Sequence, residues 1–190
     1  MTDGEAADDA ALVRRCLNGD GDGLRAFVAR FQGLVFRLCY RMLGHREDAE
    51  DITQEVFVRI FKNLHRWDSS RPLKPWLITI TANRCRTALT RRARLPVPSE
   101  FVEEQPSSGS SAPDDLGEEL QLGLDQLREE YRTCFVLFHQ QEMSCLEISE
   151  ILDRPEGTIK TWLHRARREL ADFLIKRGIA PHVQTELQQA

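Results

Sequence analysis

Apolar residues recur at intervals of three and four in the first half of the chain, which is the spacing of one helix face. Over 48–67 this stripe consists of Ala49, Ile52, Val56, Phe57, Ile60 and Leu64. Carboxylates crowd the start of the segment, where they complement the positive end of a helix dipole. A similar stripe over 24–43 stops before Gly44, a residue typical of helix ends. The pattern predicts two helices, one on each side of Gly44.

A third helix is predicted over 75–94, with Pro75 at its first position, where proline is favoured. The run Ile78–Thr81 is rich in β-branched residues, which favour strands. Ile78, Ala82, Cys85 and Leu89 nevertheless keep a helical spacing, and no turn signal precedes Pro96. We therefore interpret the segment as a helix.

The last third of the chain reads as a string of helices: one near 116–127, one across 129–141, and then two short ones. Ser144 with Glu147 fits a capping box that opens the first short helix. A break at 153–157 follows, with Asp153 able to adopt left-handed geometry, and Thr158 is the expected cap of the last helix. Helix, short turn and helix form the helix-turn-helix arrangement.

Pro, Ser, Gly and acidic residues replace the apolar periodicity over 94–117, which predicts a flexible linker. It would separate a domain at 1–93 from a second at 118–177, followed by a tail at 178–190. The expected fold is all-α: two small helical domains joined by the linker, the second one a helix-turn-helix domain.

Composition describes a globular protein, with 41% hydrophobic and 29% charged residues and a net charge of -4. No stretch reaches the roughly 18 apolar residues of a membrane span, and the acidic N-terminus is unlike a secretory signal. We therefore expect a cytoplasmic location without membrane insertion. The five cysteines are scattered and include no C-x-x-C pair, which indicates reduced thiols, mostly in the core.

Cations concentrate on the last helix, although the chain as a whole is acidic. Ile159, Trp162, Leu163, Ala166 and Leu170 form its apolar stripe. The remaining surface carries Lys160, Thr161, His164, Arg165, Arg167 and Arg168. A recognition helix needs this layout, because one side packs on its scaffold while the other enters a major groove. A solvated helix face is the alternative.

A second basic cluster lies on the third helix, close to aromatic residues. It comprises Arg84, Arg86, Arg91, Arg92 and Arg94, with Trp67, Trp76 and Asn83 nearby. Bases of single-stranded nucleic acid stack on such rings while arginines follow the backbone. Tryptophan core anchors beside a solvated helix end explain the same residues equally well.

An acidic face on the second helix, formed by Asp48, Asp51, Gln54 and Glu55, indicates an interaction surface or a solvated face. No nucleophile or metal-binding histidine pair lies near it in the sequence, so we expect no enzyme and no cofactor. The segment 18–23 resembles the opening of a calcium loop, but Ala29 stands where the bidentate glutamate belongs. A turn between helices is the better interpretation.

Three segments together resemble the extracytoplasmic-function (ECF) group of bacterial sigma factors: "YRMLGHREDAEDITQEVFVRIFKNLHRW", "PWLITITANRCRTALTRR" and "EISEILDRPEGTIKTWLHRARREL". The resemblance covers about 24–94 and about 118–174. It implies an initiation factor without catalytic residues that binds core RNA polymerase and directs it to promoters. Such factors are typically held by an anti-sigma protein. A stand-alone helix-turn-helix regulator is the alternative function.

The resemblance also implies three groups of contact residues. Asp48, Asp51, Gln54 and Glu55 would bind core polymerase. The minus-ten element would meet, as melted single strand, Arg66, Trp67, Ser69, Arg71, Trp76, Asn83, Arg84 and Arg86. The minus-thirty-five element would meet, as duplex DNA, Thr158, Lys160, Thr161, His164, Arg165, Arg167 and Arg168. Trp162 departs from the family pattern, which often has arginine there, so we expect an altered promoter preference.

Overall fold

The computed structural model describes residues 3–94 and 115–179, and over these it contains helices and no strand. The chain divides into two compact units, Met1–Ala88 and Leu89–Ala190. The all-α expectation is confirmed. The predicted linker at 94–117 and the tail lie almost entirely outside the described residues, and the domain limits at 93 and 118 stay predictions. No helix in the described parts is long and apolar enough to cross a membrane.

The first unit contains three helices and most of a fourth. They are α1 (Asp3–Leu17), α2 (Gly21–Leu43), α3 (Arg46–Asn63) and α4 (Leu73–Arg94), with a short 3-10 turn at Leu64–Arg66. Helix α2 packs against both α1 and α3. Fully buried side chains, including Phe27, Met42, Ile60 and Leu77, form the core. The predicted stripe of α3 is the face that this core buries.

Local signals explain where these helices begin and end. Gly44 follows α2 with a φ of 80°, and its N–H donates to the Tyr40 carbonyl, which closes the helix. Asp20 caps the start of α2 by accepting from the Asp22 N–H at 2.9 Å, and it also pairs with Arg15 at 2.7 Å. The predicted turn between helices is therefore confirmed for residues 18–20, whereas residues 21–23 already belong to α2. The described residues include no His, Cys, Asp or Glu cluster able to hold a metal.

Helix α4 forms despite its β-branched run, because it packs Leu77, Ile78 and Ala82 into the core. Thr79 and Thr81 donate their hydroxyls to the carbonyls of Pro75 and Leu77, at 2.9 Å and 2.7 Å, so both hydroxyls are satisfied within the helix. The predicted start is wrong by two residues: α4 begins at Leu73, so Pro75 is its third residue. Proline remains compatible with that position, because N–H groups of a first turn have no acceptor within the helix.

The second unit contains the remaining four helices of the described chain. They are α5 (Asp115–Gln126), α6 (Glu129–Phe135), α7 (Cys145–Leu152) and α8 (Glu156–Lys176), and a π-helical turn at Val136–Gln140 extends α6. Helix α8 packs against the other three. At Gly123 of α5 an added Cβ would lie 2.4 Å from Leu170 Cδ1, so glycine allows α5 to approach α8 closely.

Two expectations about this unit are confirmed and two are wrong. The Ser144–Glu147 capping box is present, and Asp153 adopts left-handed geometry with a φ of 52°. The last helix is not short, since α8 has 21 residues. Thr158 does not cap it: α8 begins at Glu156 after an extended Pro155, whose carbonyl accepts from the N–H groups of Thr158 and Ile159 at 2.8 and 3.2 Å.

Four of the five cysteines are buried, and Cys145 is half-buried. All five are free thiols. The sulfurs of Cys39 and Cys85 lie 3.7 Å apart between α2 and α4. In the second unit, burial raises the pKa of Cys134 to about 12. The expectation of reduced, mostly core thiols is therefore confirmed.

Candidate nucleic-acid interface

The outer face of α8 carries the cations that the sequence places there. Ile159, Leu163, Ala166 and Leu170 are buried, while Trp162 is only half-buried. The exposed residues are Lys160, Thr161, His164, Arg165 and Arg168, and Thr158 and Arg167 are half-buried. The helix thus presents a basic surface opposite an apolar one.

Several of these side chains are held in place by neighbours. Lys160 pairs with Glu156 at 2.8 Å, and this hydrogen bond raises the pKa of Lys160. Arg165 Nη1 donates to the Tyr131 hydroxyl of α6 at 2.9 Å, and this bond raises the pKa of Arg165. The α6 scaffold therefore orients one of the predicted DNA-contacting cations.

Arg167 is held by two side chains of the π-helical turn. Its Nε donates to His139 Nε2 at 3.1 Å, and its guanidinium lies over the Phe138 ring, 5.3 Å from the centroid. Accepting that bond requires His139 to be neutral. Burial, followed by the charge of Arg167, lowers the pKa of His139 and so favours the neutral form. Arg167 therefore serves partly as a packing residue of α8.

The capping box fixes the helix that precedes α8. Ser144 Oγ accepts from the Glu147 N–H at 3.2 Å, and the Glu147 carboxylate accepts from the Ser144 N–H at 2.8 Å. The Ser144 hydroxyl also donates to that carboxylate, at 2.7 Å, and these bonds lower the pKa of Glu147. Helix α7, the left-handed turn at Asp153 and α8 together form the predicted helix-turn-helix.

In the first unit, the second basic cluster lies on and beside α4. Trp76, Asn83 and Arg86 are half-buried, and the side chain of Arg84 is 18% exposed. Arg91 and Arg92, beyond the limit of this unit, are exposed, while the side chain of Arg94 lies outside the described residues. The two tryptophans, Trp67 and Trp76, are half-buried, so each is partly anchored and partly accessible.

The loop before α4 is organised by Asp68. Its Oδ1 accepts from the Ser70 N–H at 2.9 Å and from the Ser70 hydroxyl at 2.8 Å, and these bonds lower the pKa of Asp68. Arg66, Ser69 and Arg71 are exposed, and Arg71 lies 3.7 Å from Asp68. The indole Nε1 of Trp67 is buried and has no hydrogen-bond partner in the described chain.

The acidic residues of α3 lie on one exposed face. Asp48, Asp51 and Glu55 are spaced three and four apart, with Gln54 beside them, and Val58 extends the face with 53% exposure. Glu55 contacts Arg84 of α4: Arg84 Nε donates to Glu55 Oε2 at 2.6 Å, and Nη2 donates to the same oxygen. The structure thus brings together a predicted polymerase contact and a predicted DNA contact.

Comparisons with known proteins identify the family. Residues 27–95 match the Sigma-70 region 2 family, and residues 117–170 match the Sigma-70 region 4 family. The ECF RNA polymerase sigma factor SigW of Bacillus subtilis is 31% identical over 176 residues, which cover 83% of this chain and 92% of SigW. The chain belongs to the ECF group of RNA polymerase sigma factors. This sigma factor therefore binds core polymerase and promoter DNA and directs transcription initiation.

Two further proteins resemble this sigma factor. The ECF sigma factor SigE of Mycolicibacterium smegmatis is 35% identical over 151 residues, which cover 76% of this chain and 58% of SigE. Among solved structures, the sigma factor RpoE of Bartonella quintana, in complex with the anti-sigma factor NepR, matches with a TM-score of 0.61 and 20% identity. That match covers 79% of this chain and 95% of RpoE, and it shows a common fold.

Sequence reasoning missed the residues that hold the sigma factor's cations in place. None of the predicted contact groups includes these residues, yet each of them contacts an arginine of those groups. They are Tyr131, Phe138, His139 and Asp68. Only Asp68 had a local signal, because aspartate two residues before serine in a polar stretch favours a side-chain turn. The other contacts join residues 28 or more positions apart.

Proposed function

We propose that this sigma factor holds a promoter at two points while its α3 face binds core polymerase. Helix α8 would read the minus-thirty-five element as duplex, and α4 with the loop at 64–72 would engage the minus-ten element as it melts. The observation that carries this proposal is the two-faced α8: a basic outer surface on a buried apolar stripe, preceded by a capped helix and a tight turn.

On α8, Lys160, His164 and Arg168 are exposed and lie four residues apart, so they form one row along the helix. Thr161 and Arg165 form the adjacent row. A helix that enters the major groove uses such rows for base edges and phosphates. We expect Arg165 to be the best-positioned contact, because Tyr131 limits the freedom of its side chain.

On α4, half-buried Trp76 and Asn83 support binding of unstacked bases, while Arg84 and Arg86 supply positive charge. The unpaired indole N–H of Trp67 costs free energy while it stays buried. A rearrangement of the loop that pairs this group with DNA would recover that cost. Extruding a base costs a few kcal/mol, which such contacts must offset.

On α3, the exposed carboxylates and Val58 form a mixed acidic and apolar surface, which fits a basic protein partner with an apolar centre. We propose that this partner is core polymerase and that polymerase supplies all the chemistry, so the sigma factor itself has no catalytic role and acts in the cytoplasm. The complex of RpoE with NepR supports the further proposal that an anti-sigma protein also binds this chain.

Transcription in vitro with core polymerase tests the residue assignments. Asp51→Lys should weaken core binding, with Asp172→Lys, an exposed position on α8, as the matched charge reversal. Lys160→Ala should reduce promoter selection with core binding intact, while Lys176→Ala at the far end of the same helix should not. Equal core affinity of the two aspartate variants, or equal promoter selection by the two lysine variants, would contradict the assigned faces.

A further inference from the structure

The contact between Glu55 and Arg84 joins two surfaces to which different partners are assigned. Glu55 lies on α3 in the polymerase-binding face, and Arg84 lies on α4 in the DNA-binding face. Two N–H groups of Arg84 donate to the same oxygen, Glu55 Oε2. The pair is also asymmetric in exposure, since the Arg84 side chain is 18% exposed and that of Glu55 is 52% exposed.

We propose that Glu55 is a positioning residue that restrains Arg84 in the free sigma factor and releases it when polymerase binds. This inference rests on the proposed function, because it takes Glu55 as a polymerase contact and Arg84 as a DNA contact. A cationic side chain of the polymerase would engage the Glu55 carboxylate, and Arg84 would then turn to a phosphate of the melted strand.

The chemistry of the two groups permits this exchange. A carboxylate offers about four acceptor positions, and the contact with Arg84 involves only Oε2, so Oε1 remains able to receive an approaching cation. Arg84 in turn carries about five N–H donors, of which the pair engages two. A guanidinium already neutralised by a carboxylate attracts a phosphate less strongly than a released one, because the neighbouring negative charge opposes the approach.

Thermodynamic linkage makes the effects of polymerase binding and DNA binding on each other's affinity reciprocal. If polymerase binding at Glu55 raises the affinity of Arg84 for DNA, then DNA binding at Arg84 raises the affinity of Glu55 for polymerase by the same factor. While the contact with Glu55 holds Arg84, we expect the free factor to bind single-stranded DNA weakly. Glu50 supplies a contrast on the same helix, because its carboxylate pairs with Arg46 one turn away, at 2.9 Å, and not with α4.

The test measures binding of the full chain, without polymerase, to a fluorescein-labelled oligothymidylate of about 12 nucleotides. Glu55→Gln should bind about three- to tenfold more tightly than the wild type at low ionic strength. The slope of the logarithm of its association constant against the logarithm of the salt concentration should become more negative by about 0.7, the value for one additional phosphate contact on a single strand. A merely structural role for Glu55 would produce neither change.

Two controls isolate the contact. Glu50→Gln removes the same charge from a carboxylate of similar exposure, 50%, and should stay within about twofold of the wild type. Adding Arg84→Ala to Glu55→Gln should abolish the gain. Glu55→Asp keeps the net charge and shortens the side chain, so it should reproduce part of the gain; it also serves if Glu55→Gln folds poorly in a thermal unfolding control.

The outcomes separate this inference from the proposed function. If Glu55→Gln and Glu55→Asp bind no more tightly than Glu50→Gln, while Arg84→Ala impairs promoter opening by the polymerase complex, the restraint is wrong and the DNA face stands. If Arg84→Ala leaves promoter opening unchanged, the DNA role of Arg84 is wrong, and the restraint is wrong with it.

Discussion

Replacing Ser144 by alanine should destabilise the second unit selectively. The change removes the hydroxyl that accepts from the Glu147 N–H at 3.2 Å and donates to the Glu147 carboxylate at 2.7 Å. The bond from the Ser144 N–H to Glu147, at 2.8 Å, survives, so half of the capping box remains. Loss of a serine N-cap costs about 1 kcal/mol. Helix α7 has only eight residues and buries three of their side chains, so few other contacts can compensate for the lost cap.

The expected shift is large enough to measure. For a domain of about 60 to 100 residues, 1 kcal/mol corresponds to about 4–8 °C in midpoint temperature. The protein has three tryptophans, with Trp67 and Trp76 in the first unit and Trp162 on α8. Fluorine NMR of the 5-fluorotryptophan-labelled chain therefore follows thermal unfolding of each unit separately. The Trp162 transition should fall by about 4–8 °C, and the other two should not move.

Ser149→Ala provides the matched control within the same helix. Its hydroxyl donates to the Leu146 carbonyl at 2.7 Å and caps nothing. Alanine is the better helix former, so this variant should change stability by less than about 0.5 kcal/mol. Equal effects of the two serine variants on the Trp162 transition would refute the capping argument.

Three further predictions concern the second unit. Tyr131→Phe removes the hydroxyl that holds Arg165 at 2.9 Å, and it should weaken promoter binding by the polymerase complex by up to about fivefold in a gel-shift titration, with folding unchanged. Folding lowers the pKa of His139, so the neutral imidazole is favoured in the folded state. The stability that this imidazole contributes is present above the unfolded pKa of about 6.5 and is lost as the pH falls through the pKa of the folded state. In urea unfolding, the free energy of unfolding of the wild type should therefore decrease between about pH 7 and pH 5, and His139→Gln should reduce this decrease. The same pH dependence in the wild type and the variant would contradict the role of the bond to Arg167. Trp162→Arg should change the bases selected from a randomised minus-thirty-five library, and an identical selection would count against a DNA-facing role for this residue.

The helices could be predicted from the sequence because their signals are local. The stripe of α3, the glycine after α2 and the capping box of α7 each depend on residues within one or two turns. The expected cap at Thr158 was wrong for an equally local reason, since Pro155 is extended and supplies the acceptor carbonyl, which moves the helix start to Glu156.

The contacts between helices could not be predicted in the same way. Glu55 and Arg84 are 29 residues apart, and Arg167 and His139 are 28 apart. Periodicity places each residue on a face of its own helix and does not determine which faces meet. The sequence therefore predicted which side chains are polar and exposed, whereas the pairing of a polymerase-face carboxylate with a DNA-face arginine required the fold.

The most direct test of the two-point account is run-off transcription with core polymerase on a promoter selected by this sigma factor. Core polymerase alone should give no specific transcript, and core with the sigma factor should give one whose start lies downstream of both elements. Replacing either the minus-ten or the minus-thirty-five element should abolish the transcript. Specific initiation that survives replacement of one element would contradict the claim that this sigma factor holds the promoter at two points.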